Sequence, residues 1–181
     1  MSHAVHDPIY QEIVDLTGQD PALCYQCGKC SAGCPIREYE DSSPNRIIRY
    51  VQLGFYDKAL TSSTIWLCAG CMTCSTRCPQ EYELPRLMDA LREIAIKKNI
   101  KPAEEKVYKF HKAFLKQIKN NGRAFEFGLV RDYKLSTFDL MQDVEAAPGM
   151  FLKGKISLMP HKIKDRNSVK KIFKKSEGDE Q

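Results

Sequence analysis

The run Cys24-Tyr25-Gln26-Cys27-Gly28-Lys29-Cys30-Ser31-Ala32-Gly33-Cys34-Pro35 returns 44 residues later as Cys68-Ala69-Gly70-Cys71-Met72-Thr73-Cys74-Ser75-Thr76-Arg77-Cys78-Pro79. Each copy reads C-x2-C-x2-C-x3-C-P, and the two copies use all eight cysteines of the chain. Three thiolates at three-residue intervals let one tight loop wrap three corners of a cube. The loop's backbone N–H groups then face the sulfurs. The fourth cysteine precedes proline, which disfavours helix at that residue and has no N–H to offer. It is turned away from its own cube and is expected to ligate the other one, so the chain is stapled to itself. The spacing therefore predicts two [4Fe–4S] clusters. Cys24, Cys27, Cys30 and Cys78 are the expected ligands of cluster 1. Cys68, Cys71, Cys74 and Cys34 are those of cluster 2.

Two other uses of cysteine fit less well. Disulfides belong to oxidising compartments, and the first residues show no secretory signal. Two four-cysteine zinc sites could be built from C-x2-C pairs. Zinc leaves unexplained a third cysteine at the same interval followed by Cys-Pro, twice over. Two cubanes also fill much of the space a core would occupy, so residues 24–79 are expected to fold only with their clusters.

No apolar run approaches the roughly 18–20 residues of a membrane helix, so a soluble, cytoplasmic protein without direct membrane insertion is expected. Net charge is +5 over 181 residues, but it is uneven. Residues 153–175 hold nine Lys or Arg against the single acid Asp165, which leaves the remainder net negative. The basic character belongs to the tail.

Helical signals dominate. Asp7-Pro8 starts a helix with Ile9, Ile13 and Leu16 on one face and Gly18 as its stop. Ser43-Pro44 opens a second with the stripe Ile47, Ile48 and Val51, leaving Arg46, Arg49 and Gln52 outside and Gly54 as stop. Phe55 to Leu60 fits a short helix. Trp66 suits either core packing or the shielding of a cluster from water, and both can hold. From Leu84-Pro85 the positions Leu84, Leu87, Met88, Leu91, Ile94 and Ala95 follow helical spacing, with Arg86, Asp89, Arg92 and Glu93 outward. Pro102 starts another helix carrying Val107, Phe110, Phe114, Leu115 and Ile118, which ends at Asn120-Asn121-Gly122. No useful β alternation appears, so the fold class is all-α, unlike the β-rich setting of an ordinary small ferredoxin.

Beyond Gly122 the pattern weakens. Leu135 to Ala146 fits a short helix and Ile156 to Ile163 extended chain. Asn167 to Lys175 fits a basic amphipathic helix around Val169, Ile172 and Phe173, and Ser176 to Gln181 fits disorder. The expected division is residues 1–122 as the cluster domain and 123–181 as a less regular basic extension. The tail's apolar residues Phe151, Leu152, Ile156, Leu158 and Met159 favour an arm that docks on a partner over a solvated one. No recognition motif supports nucleic-acid binding. His3, His6, His111 and His161 have no ligand spacing. Every cysteine is committed, no Cys-Cys pair occurs, and no GxGxxG follows a strand. The residues thus read as redox centres without substrate chemistry, non-catalytic alone.

The two cysteine runs, with the helices at Pro44 to Gly54 and from Pro85, resemble the soluble C subunit of heterodisulfide reductase. The α-helical ferredoxin fold is shared with the iron–sulfur subunit of succinate dehydrogenase. That resemblance implies electron transfer from a partner carrying FAD and iron–sulfur clusters to a second partner that reduces the coenzyme M–coenzyme B disulfide of methanogens. It also implies a hydrogenase or formate dehydrogenase in the larger complex. An electron-transfer component of another reductase, in sulfur metabolism or of the succinate-dehydrogenase kind, shares these parts. So does a scaffold that its clusters merely fold.

Overall fold

The computed structural model describes residues 7–137 and 163–178, and among them it contains helices and no strand. Helix α1 (Pro8–Thr17) begins as Asp7 accepts a hydrogen bond from the Ile9 N–H at 2.8 Å. It ends where Gly18, at φ +67°, donates to the Val14 carbonyl at 2.8 Å, a left-handed cap suited to glycine. Its buried face differs from the expected one. Tyr10, Ile13 and Thr17 are buried, whereas Leu16 is 40% exposed. Polar satisfaction decides this rotation. The Tyr10 hydroxyl donates to Asp20 and accepts from the Ala22 N–H at 3.2 Å, and the Thr17 hydroxyl donates to the Ile13 carbonyl at 2.7 Å.

A 3₁₀ turn (Pro21–Leu23) then delivers the first cysteine loop, which contains the one-turn helix α2 (Lys29–Ala32). Helices α3 (Pro44–Gln52), α4 (Tyr56–Leu60) and α5 (Thr64–Leu67) follow, and α3 buries Ile47, Ile48 and Val51 as its spacing predicts. Asp41 ties the start of α5 back to the loop before α3. Its carboxylate accepts from the Ser63 N–H at 2.9 Å, the Thr64 N–H at 3.3 Å and the Thr64 hydroxyl at 2.8 Å. Burial alone pushes the Asp41 carboxyl up. The hydrogen bonds from Ser62, Ser63 and Thr64 outweigh it and lower the pKa to about 2. Trp66, 2% exposed, is a core residue just before the second cysteine loop and its one-turn helix α6 (Thr73–Thr76).

Helix α7 (Leu84–Lys97) is the spine on which these pieces rest. Leu84, Leu87, Met88, Leu91, Ile94 and Ala95 are all buried, at the positions its period selects. It meets α1, α3, α4, α5 and α6. Asn99, at φ +54°, breaks the chain after it.

The chain divides into two units, Met1–Glu105 and Lys106–Gln181. Helix α8 (Glu105–Asn121) is bound to α9 (Glu126–Thr137), since Lys116 Nζ and Gln117 Nε2 reach Asp132 Oδ2 at 2.9 and 3.1 Å. The start of α8 is Glu105, not Pro102. Its buried residues are Ala113, Gln117 and Asn121, while Phe110, Phe114 and Leu115 are exposed. The aromatics group with one another instead, with Tyr133 edge-on to Phe110 at 5.8 Å. Helix α9 occupies residues 126–137, starting before the helix expected from Leu135; the rest of that expectation lies outside the described residues. Helix α10 (Arg166–Gly178) matches the expected basic helix and takes in Ser176 to Gly178, where disorder was expected. The apolar residues 151–159, and His3, His6 and His161, lie outside the described residues. His111 sits half-buried on α8 beside Phe110. Among the described residues no helix is long and apolar enough to cross a membrane.

Candidate metal centre

The two cysteine loops share one backbone course. Residues Gln26 and Gly28 flank Cys27 at φ +65° and +76°; Gly70 and Met72 flank Cys71 at +62° and +62°. Left-handed residues on both sides of the second cysteine curl each loop into a concave nest of N–H groups. Each loop has glycine at one of these positions and a side chain at the other, in opposite order. Helices α2 and α6 then carry Cys30 and Cys74. Past each turn, Cys34 N–H donates to Ser31 O at 3.4 Å and Cys78 N–H to Ser75 O at 3.1 Å, and the prolines follow.

The fourth cysteines reach across. The Cys24 thiol feels Cys30, Cys78 and Cys27 as its neighbouring thiols. Cys34 faces Cys68, and an open cleft of about 430 Å³ is lined by Cys34, Cys68, Cys71 and Cys74 with Glu40, Leu84, Pro85 and Met88. Cys27 and Cys71 are exposed, and the other six thiols are half-buried.

The donor chemistry suits an iron–sulfur core. Burial pushes the Cys24, Cys30, Cys68 and Cys74 thiols up, and burial followed by the Glu40 carboxyl raises Cys34 to about 11. A bound cationic metal centre would favour the thiolate form of these cysteines. Cys71 goes the other way, because the Thr73 hydroxyl and N–H stabilise its thiolate. Among the described residues, no three His, Cys, Asp or Glu side chains converge closely enough for a single metal ion.

Several residues of the site carry no signal in the sequence pattern. Glu40 is 9% exposed, with Oε1 3.4 Å from Cys34 Sγ and Oε2 without a hydrogen-bond partner. Arg92 lies close enough to Cys68 to favour its thiolate, although helical periodicity marks it only as outward-facing. Gln52, expected on the outer face of α3, turns inward. Its Nε2 donates to the carbonyls of Pro21 at 2.9 Å and Cys24 at 2.7 Å.

Comparison with known proteins gives the same chemistry. Residues 21–82 match the family described as 4Fe-4S dicluster domain, which supports two [4Fe–4S] clusters. The chain is 35% identical over 92 residues to the iron–sulfur C subunit of the CoB–CoM heterodisulfide reductase of Methanopyrus kandleri, covering 51% of this chain and 46% of that one. It is 39% identical over 75 residues to the corresponding iron–sulfur protein, numbered C 2, of Methanocaldococcus jannaschii, covering 41% and 40%. To the C subunit of the H(2):CoB-CoM heterodisulfide,ferredoxin reductase of Methanothermobacter marburgensis it is 29% identical over 106 residues, covering 58% and 57%. The chain spans about half the length of the curated relatives it matches. Residues 21–82 are thus similar to the 4Fe-4S dicluster domain family, and curated proteins similar to the chain include C subunits of heterodisulfide reductases.

Proposed function

We propose that this chain is the electron-transfer component of a heterodisulfide reductase complex. In this reading Cys24, Cys27, Cys30 and Cys78 hold cluster 1, and Cys34, Cys68, Cys71 and Cys74 hold cluster 2. The observation that carries it is the pairing of two four-thiol sets, each with one exposed member, Cys27 or Cys71. Bound [4Fe–4S] clusters supply one-electron carriers. The protein's part is to keep the two sites adjacent by exchanging Cys34 and Cys78 between loops. It also excludes water with Leu84 and Met88, and leaves one edge of each site open to a partner.

The relatives' names direct this relay to the CoB–CoM heterodisulfide. Electrons then pass from the flavin-carrying partner to the disulfide-reducing partner, in the cytoplasm. A hydrogenase or formate dehydrogenase completes the larger complex. Residues 1–122 serve as the cluster domain and 123–181 as the docking arm, with α9 and the basic α10 as its described helices.

The test is reconstitution. The purified chain accepts electrons from a strong reductant and reduces no heterodisulfide alone. Adding the flavin-carrying and disulfide-reducing partners restores turnover, and removing residues from Pro148 onward weakens assembly without loss of iron. Steady heterodisulfide reduction by the chain with both partners excluded contradicts a relay. Co-purification with a sulfur-metabolism reductase would keep the relay and remove the substrate.

A further inference from the structure

Cluster loop 1 contains a side chain where its repeat has glycine. Gln26 sits at φ +65°, and its counterpart Gly70 sits at +62°. A non-glycine residue held there costs about 1 kcal/mol or more. The Gln26 side chain is fixed in turn. Gln52 Nε2 is committed to two carbonyls, which only accept, so Gln52 presents its oxygen to Gln26. Gln26 must answer with Nε2, at 3.4 Å, while its own oxygen accepts from Asn45 Nδ2 at 3.3 Å. Asn45 is itself held, its Oδ1 accepting from the hydroxyls of Ser31 at 2.6 Å and Ser43 at 2.8 Å. The network thus leaves the Gln26 amide one orientation, and in it Nε2 lies 3.5 Å from Cys24 Sγ.

We infer that Gln26 is a positioning residue that holds a side-chain N–H on the Cys24 sulfur and so raises the potential of cluster 1. A donor on a ligand sulfur stabilises the more negative, reduced state of the centre. Gly70 offers no such donor to the second loop, so the two sites differ by an amide that the repeat itself does not contain. The inference rests on Cys24 being a cluster ligand, as proposed above.

The test compares wild type with Gln26→Gly and Gln26→Asn by EPR-monitored redox titration. Glycine removes the donor and relieves the backbone; asparagine keeps an amide and tolerates the left-handed conformation but falls short of the sulfur. Cluster 1 is identified as the signal that survives in Cys34→Ser. In both Gln26 variants iron is retained, and the reduced-to-oxidised ratio of cluster 1 at fixed poise falls by about fivefold, the worth of about 1 kcal/mol of hydrogen bond. Cluster 2 keeps its midpoint. An unchanged cluster 1 midpoint in an iron-replete variant overturns the inference. So does an equal shift of both clusters. Loss of cluster 1 iron in both variants also overturns it, since Gln26 then builds the loop and does not tune it. A wild-type chain without two four-iron clusters overturns the ligand reading itself, which separates the two failures.

Discussion

Loops 24–35 and 68–79 trace the same backbone through different surroundings. The first is embedded in neutral amides and hydroxyls from Gln26, Ser31, Asn45 and Gln52. The second meets the buried Glu40, the cation of Arg92 and the apolar wall of Leu84 and Met88. Cysteine spacing and left-handed turns dictate how a loop wraps. What surrounds the wrapped centre comes partly from the loop's own side chains, Gln26 and Ser31 in the first, and partly from elsewhere in the chain, from α3 for one loop and from α7 and the Arg37–Tyr39 turn's exit for the other. A duplicated motif therefore specifies two sites of one shape and two characters.

The most severe way to break this pairing is Cys34→Ser. It lies in the first loop, yet the second site is expected to lose its cluster, leaving about four irons per chain instead of about eight. Iron analysis with EPR checks this, and survival of the centre at Cys68, Cys71 and Cys74 with loss of the other contradicts it. Next, Met88→Ala removes a side chain only 1% exposed that lines the cleft beside Cys34, Cys68, Cys71 and Cys74. It is expected to destabilise the cluster unit by about 2–5 kcal/mol. Chelator-driven bleaching should then quicken for cluster 2 more than for cluster 1; equal quickening denies the local coupling.

The repeat, its ligand types and the spine α7 were legible because short-range rules govern them. Thiol spacing is read within a single short loop, and Leu84 to Ala95 follow the helical period. The rest depends on long-range polar pairing, which periodicity does not encode. Gln52 looked outward because polar residues usually are, yet the carbonyls of Pro21 and Cys24, far earlier in the chain, needed a donor. Nothing in the helical pattern marks Glu40, and only the fold buries it beside Cys34. The same limit rotated α1, where Tyr10 and Thr17 won the interior from Leu16, and α8, where Gln117 and Asn121 won it from Phe114 and Leu115. Asn121 there donates to Gln117 Oε1 at 3.1 Å, so buried polar groups satisfy one another.

Smaller changes sharpen the comparison. Asp41→Ala removes the carboxylate that caps α5 ahead of the second loop and is expected to cost about 1 kcal/mol at neutral pH in denaturant unfolding. Because the folded pKa of Asp41 is depressed to about 2, its contribution is present above the ordinary carboxylate value and is lost as pH falls through about 2. An effect that grows on acidification contradicts this assignment. Gly33→Ala tests the seam between the loops, where a new Cβ would approach Arg77 Nε at 2.7 Å. The Arg77 side chain end can shift, so the expected cost is within about 0.5 kcal/mol. A cost several times larger would show that Arg77 is held in place across the loops.

The most direct measurement of the exchanged-ligand arrangement is an iron-edge anomalous difference map of the loaded protein. Two four-iron peaks are expected, one bonded by Cys24, Cys27, Cys30 and Cys78 and the other by Cys34, Cys68, Cys71 and Cys74. A peak joining Cys34 to Cys24, Cys27 and Cys30 would contradict the exchange.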